Sequence, residues 1–167
     1  MVLTLTAPGI PMLFQGQEFI EDEYFQDTEG LDWEKEEKHK GIENLIRDII
    51  KLRTGETEGS KGLRSQHIEI SHNNHETKIL AYTRFDGNDL TEPVLVVLNF
   101  SNKDYGIGLN ENEPCELRVN ASSKIYDKDF SELPVDSVEV VKESTDAKNW
   151  TGKINIPAYG GLIFTKS

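Results

Sequence analysis

The spacing of apolar residues along the chain changes once, close to residue 56. Before that point, residues 41–53 place apolar side chains at i, i+3, i+4, i+7 and i+8, which is typical of a helix with one buried face. Lys51 and Arg53 suit the negative end of the helix dipole, and Gly55 is a suitable terminating residue. The pattern therefore predicts an amphipathic helix whose apolar stripe is formed by Ile42, Leu45, Ile46, Ile49 and Ile50.

After residue 56 the apolar residues alternate or form short runs that turn residues separate. Short strands at regular spacing with turn signals between them are typical of an antiparallel sandwich. The most hydrophobic run, residues 93–100, is expected at the centre of its sheet, and residues 72–75 are expected to form a turn. The predicted strands are residues 66–71, 77–85, 93–100, 105–109, 115–120, 124–126, 138–142, 152–156 and 162–165.

Two units follow from this change of period. Residues 56–61 (ETEGSK) are polar and contain Gly and Ser, as boundaries between units commonly do. We therefore expect a first unit at residues 1–59 and an all-β domain at residues 60–167. Within the first unit, Met12-Leu13-Phe14 is a short apolar run bounded by turn residues, which predicts a strand buried on both faces.

Polar residues follow that predicted strand directly. Gln15, Gln17 and Glu18 stand at its carboxyl end, where α/β sheets and barrels carry their active sites. These three residues are the candidate binding residues of the chain. The alternative is a structural role in stabilising the end of the strand.

Four motifs occur in an order that carries a resemblance: APGIPMLFQGQEF at residues 7–19, LDW at 31–33, KHKG at 38–41 and LIRD at 45–48. Together they resemble the carboxy-terminal end of α-amylase superfamily glycoside hydrolases, above all α-glucan branching enzymes. The resemblance is strongest over residues 1–53 and continues more loosely to residues 154–166. It implies a mainly β fold in which an antiparallel β-sandwich follows a short αβα remnant of a (β/α)8 barrel, with residues 1–6 as the tail of the last-but-one barrel helix.

The resemblance also implies what the chain lacks. Glycoside hydrolysis needs two carboxyl groups that flank the scissile bond. In the resembled enzymes these come from earlier barrel strands, and no acidic residue here matches those motifs, so no catalytic residue is assigned and the chain alone is expected to be inactive. It would be the non-catalytic carboxy-terminal portion of an α-glucan-acting enzyme, with the missing barrel as its partner. Gln15, Gln17 and Glu18 would then contact glucan only within the intact parent.

Two other functions stay open at this stage. The β-domain itself is an alternative candidate as a binding module for starch or glycogen, through aromatic residues at positions 103–109 and 149–150. A β-sandwich interaction domain without a carbohydrate role is the other alternative. Trp33 is interpreted as the buried anchor of the loop at residues 19–40, with a sugar-stacking role as the alternative.

The net charge of −12 argues against nucleic acids and anionic membranes as partners. Residues 18–37 hold ten acidic residues against Lys35 alone, which predicts a solvated acidic loop or, alternatively, a calcium site. No apolar run reaches the length of a membrane span, and the first residues lack the basic region of a signal peptide. Cytoplasm is the compartment that the resemblance suggests.

Three further features are weighed against plain structural roles. Cys115 is the single cysteine and is expected to be a small buried residue, since an internal disulfide needs two. The cluster His67, Glu69, His72 and His75 is a weak zinc candidate beside an ordinary hairpin, and no metal or cofactor is assigned. Asn99, Asn120 and Asn149 each begin an N-x-S/T sequon, which matters only in a glycosylating host.

Separation from a barrel has a structural consequence of its own. The predicted opening strand and the apolar stripe of residues 42–50 would both lose their burial partners. Exposed apolar edges pair with other copies or lose order. We therefore expect self-association through residues 1–53, or poor order there, while residues 62–167 fold independently.

Overall fold

Three layers make up the protein in the computed structural model: helices, a five-stranded sheet and a three-stranded sheet. The structure describes residues 1–24, 26–87, 89–110, 115–130, 139–141 and 151–166. The helices are α1 (Val2–Thr6), α2 (Glu34–Lys38) and α3 (Lys40–Thr54), with single 3-10 turns at Gln17–Phe19 and Lys61–Arg64. The strands are β1 (His67–Asn74), β2 (Ile79–Asp86), β3 (Asp89–Asn99), β4 (Tyr105–Asn110), β5 (Cys115–Asn120), β6 (Glu139–Val141), β7 (Thr151–Ile156) and β8 (Gly161–Lys166).

Both sheets are antiparallel, which confirms the predicted sandwich. The larger sheet has the order β1-β2-β3-β8-β5, and the smaller has the order β4-β7-β6. Strand β3 lies at the centre of the larger sheet, as its hydrophobic run predicts. The inner faces of the sheets enclose one apolar core, formed by Ile79, Ala81, Leu95, Val97, Ile107, Ile154, Ile156, Leu162 and Phe164.

The outer face of the five-stranded sheet forms a second core with the helices. Alternate residues of β2, β3 and β8 point to this side, which explains why β3 reads as a continuous apolar run rather than an alternation. Helix α3 lies over this face and buries Leu45, Ile46 and Ile49 of the predicted stripe. The two end residues differ, because Ile42 is half-buried and Ile50 is 38% exposed. The shared core contains Leu5 of α1, Leu45, Ile46, Ile49 and Leu52 of α3, Leu63, and Tyr82, Val94, Val96, Leu98, Val119, Tyr126 and Ile163.

Local predictions are confirmed with three exceptions. Helix 41–53 is present as α3, and Gly55 ends it in the left-handed conformation with φ of 82°. Residues 124–126 are a turn rather than a strand, with the Tyr126 N–H bonded to the Ser123 carbonyl. The turn predicted at residues 72–75 begins later, because β1 continues to Asn74, whose side-chain oxygen accepts the N–H groups of Glu76 and Thr77.

The third exception is the opening strand, and here the prediction is wrong. Residues 10–14 are in no strand, and the exposed fractions of Ile10, Met12 and Phe14 are 97%, 78% and 48%. A strand must share its hydrogen bonds with neighbours, and this segment has no strand beside it within the described residues. The expected αβα remnant is therefore present only as its helices.

The expectation that the apolar stripe lacks a burial partner is also wrong. Ile49 is fully buried and Leu45, Ile46 and Leu52 are nearly so, all against the chain's own sheet. The division at residues 59 and 60 stays a prediction. One apolar core crosses it.

Candidate functional site

The segment that follows the opening residues encloses a small cleft. Gly16 adopts a left-handed conformation with φ of 84° and starts the 3-10 turn at Gln17–Phe19. The side-chain oxygen of Gln17 accepts the Phe14 N–H at 2.9 Å, which fixes the bend before the turn. The cleft has a volume of about 130 Å³, and its lining includes Phe14, Gln15, Gln17, Glu21, Tyr24 and Leu31.

The structure brings two of the three candidate residues together. Gln15 and Gln17 are both exposed and line the cleft, whereas Glu18 is half-buried and lies outside the lining. The hydrogen bond that Gln17 accepts from the Phe14 N–H is a structural contact, and a binding role for the three residues stays a prediction. Gln15 and Gln17 carry amide groups on an accessible wall, which is the chemistry that hydrogen-bonds sugar hydroxyls.

A lysine lies at the centre of the acidic loop. Lys35 Nζ is 2.6 Å from a carboxylate oxygen of Glu21, 2.6 Å from one of Asp22 and 3.8 Å from one of Glu23. Glu21 also accepts the main-chain N–H groups of Glu23 and Asp32, each at 3.0 Å. We call these four side chains the Lys35 cluster.

The electrostatics of the Lys35 cluster follow from this geometry. Lys35, followed by the two main-chain N–H donors, lowers the pKa of Glu21 to about 2. The same lysine lowers the pKa of Asp22, and both carboxylates raise the pKa of Lys35. An ammonium group thus occupies the place where the alternative interpretation put calcium. Among the described residues, no group of three or more His, Cys, Asp or Glu side chains is arranged to hold a metal ion.

The loop's buried anchor is Phe19, and the interpretation of Trp33 as that anchor is wrong. Phe19 is 1% exposed, whereas Trp33 is 62% exposed and lies against it with ring centroids 5.5 Å apart. The 3-10 turn that carries Phe19 begins at Gly16, where a Cβ atom would lie 2.5 Å from the Glu21 Cβ and 3.3 Å from Leu31, so a larger residue would not fit there.

The histidine cluster is an ordinary hairpin feature. His67 Nδ1 accepts the Gly87 N–H at 3.1 Å and lies 3.1 Å from the Ser65 hydroxyl, and its ring stacks on Phe85. Cys115 begins β5, and its side chain lies outside the described part. Asn149 and Trp150 also lie outside the described residues.

Two arginines and a tyrosine join the amino-terminal residues to the sheet, a role that sequence reasoning missed. Arg84 of β2 is fully buried, and its guanidinium donates to the main-chain carbonyls of Thr6, Leu63, Ser65 and His67. The Thr6 hydroxyl lies 2.6 Å from the Tyr82 hydroxyl. The signal was an arginine inside the apolar strand ILAYTRFD, at a position that faces the helices.

Arg53 extends this junction from the end of α3. Its guanidinium donates to the carbonyls of Leu5, Ala7 and Gly9, at 2.7 Å and 3.0 Å for the first two. Burial lowers the pKa of both Arg53 and Arg84. Because arginine remains protonated under ordinary conditions, these two side chains are fixed cations that donate to seven backbone carbonyls.

No helix among the described residues has the length and apolar character needed to cross a membrane.

The chain is similar to curated branching enzymes. It is 33% identical over 127 residues to the 1,4-α-glucan branching enzyme GlgB of Roseobacter denitrificans, covering 71% of this chain and 17% of that enzyme. It is 27% identical over 176 residues to GlgB of Corynebacterium diphtheriae, covering 94% of this chain and 22% of that enzyme. The chain thus spans about a fifth of the length of these relatives.

Solved structures share the fold at low identity. A debranching enzyme from Nostoc punctiforme matches with a TM-score of 0.67 and 16% identity, over 99% of this chain and 30% of that one. A pullulanase from Anoxybacillus sp. LM18-11 matches with a TM-score of 0.62 and 17% identity, over 99% of this chain and 22% of that one. The family model of the alpha amylase C-terminal all-beta domain matches residues 69–167. This match confirms the resemblance and excludes the alternative that the chain is a β-sandwich domain unrelated to these enzymes. The chain belongs to the α-amylase C-terminal all-β domain family.

Proposed function

We propose that this chain is the non-catalytic carboxy-terminal portion of an α-glucan-acting enzyme of the branching-enzyme or α-amylase type. Its β-domain stabilises the end of the parent's barrel. The observation that carries the proposal is the burial of the α3 stripe on the outer face of the five-stranded sheet. A helix fixed in this way gives the preceding polypeptide a rigid end to pack against.

Polar contacts support the same role. Arg84 and Arg53 together hold the end of α1 and the residues after it, because their guanidinium groups bond to backbone carbonyls there. A buried polar group that loses its partner destabilises a protein by about 1–3 kcal/mol. These contacts therefore fix the direction in which the first residues leave the sheet.

The acidic groups support a non-catalytic role. A general acid in glycoside hydrolysis needs a raised pKa, which an apolar site or a like charge supplies. In the described residues the acidic side chains with clearly shifted pKa values are Glu21, Asp22 and Glu43, and each pKa is lowered by a neighbouring lysine. They are held ionised, which suits ion pairs rather than proton donation.

The exposed opening segment supplies the surface for the barrel. Ile10, Met12 and Phe14 project apolar side chains into solvent on a stretch that belongs to no helix or strand. In the parent, this stretch gains strand neighbours and its side chains become buried. Gln15 and Gln17 then lie at the carboxyl end of a barrel strand, where they contact the glucan.

The test is the reading frame upstream of Met1, followed by activity and stability of the encoded protein. We expect it to encode a barrel with acidic motifs at its strand ends. A truncated parent enzyme that keeps the barrel and residues 1–59 but lacks residues 60–167 should unfold at a lower temperature than the complete parent enzyme. Iodine staining of amylose should show activity for the full protein and none for residues 1–167 alone. Glucan modification by residues 1–167 alone, or an unchanged Tm after the truncation, would refute the proposal.

The same surface is the basis for self-association of the chain on its own. Because the α3 stripe is buried, any association would use the opening segment rather than all of residues 1–53. Sedimentation velocity of residues 1–167 at high concentration should show an oligomer. The Met12→Asp variant should remain monomeric under the same conditions. A monomer at all concentrations would refute self-association without touching the role in the parent.

A further inference from the structure

One end of the sandwich carries an exposed aromatic residue on a strained turn. Residues 157–160 form a four-residue turn in which the Gly160 N–H donates to the Pro157 carbonyl at 3.0 Å. Its third residue, Tyr159, has a φ of 53°, and its side chain is 74% exposed. Glycine or asparagine is the usual residue at such a position, since a Cβ atom is crowded there.

The exposed ring therefore has no role in packing that would explain the strain. A tyrosine that contributed burial energy would offset the cost of its backbone conformation, but this side chain lies mostly in solvent. Gly160 and Gly161 follow immediately, so the sequence places glycine beside the strained position rather than in it. Strained backbone conformations of this kind concentrate at functional sites.

A second aromatic residue lies on the neighbouring segment. Phe100 follows β3 and is 49% exposed. The segments run side by side because the Asn99 N–H donates to the Gly160 carbonyl and the Tyr159 N–H donates to the Ser101 carbonyl, each at 2.9 Å. We call Phe100 and Tyr159 the aromatic pair.

A buried asparagine makes this end of the sandwich rigid. Asn99 is 2% exposed, and its side-chain NH₂ group donates to the carbonyls of Lys103 and Pro157 at 2.7 Å and 2.9 Å. Its side-chain oxygen accepts both the N–H and the hydroxyl of Ser101. The bond to Pro157 joins the turn of Phe100 to the turn of Tyr159, and the other three close the turn of Phe100 itself, so the backbone that carries the aromatic pair is held in place before any ligand arrives.

Two more contacts extend the frame. The Ala158 N–H donates to Asp104 Oδ1 at 2.9 Å. The Phe100 N–H donates at 3.0 Å to the carbonyl of Lys78, which is itself a non-glycine residue with a positive φ of 57°. Of the four residues of this kind in the described chain, Tyr159 belongs to the aromatic pair and Lys78 lies beside it.

We propose that the aromatic pair is a surface binding site for α-1,4-glucan, separate from the cleft at Gln15 and Gln17. The inference rests on the proposed function, since that supplies the polymer. A glucose ring presents C–H groups on one face and hydroxyls at its rim, so it stacks on a tyrosine ring while exposed polar residues such as Asn102, Lys103 and Asp104 reach the hydroxyls. The ligand is uncharged and meets no repulsion from a chain with a net charge of −12.

Affinity electrophoresis in native gels containing amylopectin tests the site, with maltoheptaose as the soluble competitor. Residues 1–167 should migrate more slowly as the polymer concentration rises. Tyr159→Gly should weaken this retardation about tenfold, the loss expected for one stacking contact of about 1.4 kcal/mol. Because glycine relieves the strained φ, the same variant should unfold at an equal or higher temperature than the parent chain.

Matched variants separate the ring from the fold. Tyr159→Phe keeps the ring and should retain most of the retardation, whereas Phe100→Ala should reduce it. Ile125→Ala removes a side chain that is 75% exposed elsewhere on the surface and should change nothing. Tyr159→Asn tolerates the left-handed backbone and should reproduce the loss seen with glycine.

Each contrary outcome is decisive. Retardation of Tyr159→Gly equal to that of the parent chain would overturn the site, as would a lower Tm for this variant, which would show that the ring stabilises the fold. Absence of retardation for the parent chain would also overturn it. None of these results affects the role in the parent enzyme, which the upstream reading frame and the truncation decide.

Discussion

Helix α3 and the opening segment (residues 10–14) are two apolar stretches near the amino terminus, and they differ in burial. The helix buries Leu45, Ile46, Ile49 and Leu52 on the sheet, whereas residues 10–14 expose most of their apolar side chains. A helix bonds its own backbone and needs only one apolar face to pack against. A strand needs, in addition, at least one neighbouring strand to share its backbone hydrogen bonds. The comparison teaches that an apolar run predicts burial only together with the backbone partners that the rest of the chain provides.

The largest expected effect on stability is found by replacing one side chain in each stretch and comparing the two losses. Ile49→Ala should lower the free energy of unfolding by about 2–5 kcal/mol, because it leaves a cavity in the shared core. Met12→Ala should change it by less than about 0.5 kcal/mol, since that side chain is 78% exposed. Urea unfolding of residues 1–167 measures both values. Equal losses would show that the opening segment is buried in solution, and the comparison would fail.

A smaller effect is expected where α3 lies against the turn of Tyr126. A Cβ atom at Gly41 would lie 1.6 Å from the Tyr126 carbonyl oxygen, and Tyr126 also donates to Asp48 two turns further along α3. Gly41→Ala should therefore destabilise the protein by about 1–3 kcal/mol, because the backbone must move. Gly30→Ala is the control, since nothing lies within 4 Å of its added Cβ. Urea unfolding gives both values, and matching stabilities would mean that α3 does not lie against the turn of Tyr126.

The smallest effect on stability concerns the polar loop after the opening segment. The pKa of Glu21 is about 2 in the folded chain against an ordinary value of 4.5, so its contribution is present above about pH 4.5 and is lost as the pH falls towards 2. Lys35→Met should raise the pKa of Glu21, although the N–H donors of Glu23 and Asp32 keep it below the ordinary value. Carboxyl chemical shifts in an NMR titration measure the change. Lys38→Met removes an exposed lysine of the same loop and should leave Glu21 unaltered, and an identical titration curve for Lys35→Met would show that the Lys35 cluster is not formed in solution.

The sequence predicted the elements whose pattern is local. The stripe of α3 repeats at helical spacing over two turns and more, and the β-rich runs lie between strong turn signals, so both were placed within a few residues. It did not predict which face of which sheet receives the helix, because that depends on residues far apart in the chain, such as Ile49 and Val96. The opening strand failed for the same reason.

In the candidate site, too, the features with a local sequence pattern were predicted and those without one were missed. Gln15 and Gln17 were found because they follow an apolar run directly. The Lys35 cluster was missed, although Lys35 is the sole basic residue among ten acidic ones in residues 18–37. Its ion pairs span 12 to 14 residues of irregular loop, where no periodicity exists to read. Tyr159 was missed because strain in a backbone angle leaves no pattern in the sequence beyond the glycines beside it.

The burial of Asn99 bears on the sequon that it begins. Both hydrogens of its side-chain nitrogen are bonded within the fold, and the residue is 2% exposed. An oligosaccharyltransferase would have to reach this nitrogen before the turns at Phe100 and Tyr159 closed around it. In a glycosylating host, sugar on Asn99 would mark molecules that were modified while still unfolded and that cannot afterwards form these turns. The Asn120 side-chain oxygen accepts the Ser122 N–H, and its nitrogen donates to no residue in the part of the chain that the structure describes, so the two sequons would report on folding in opposite ways.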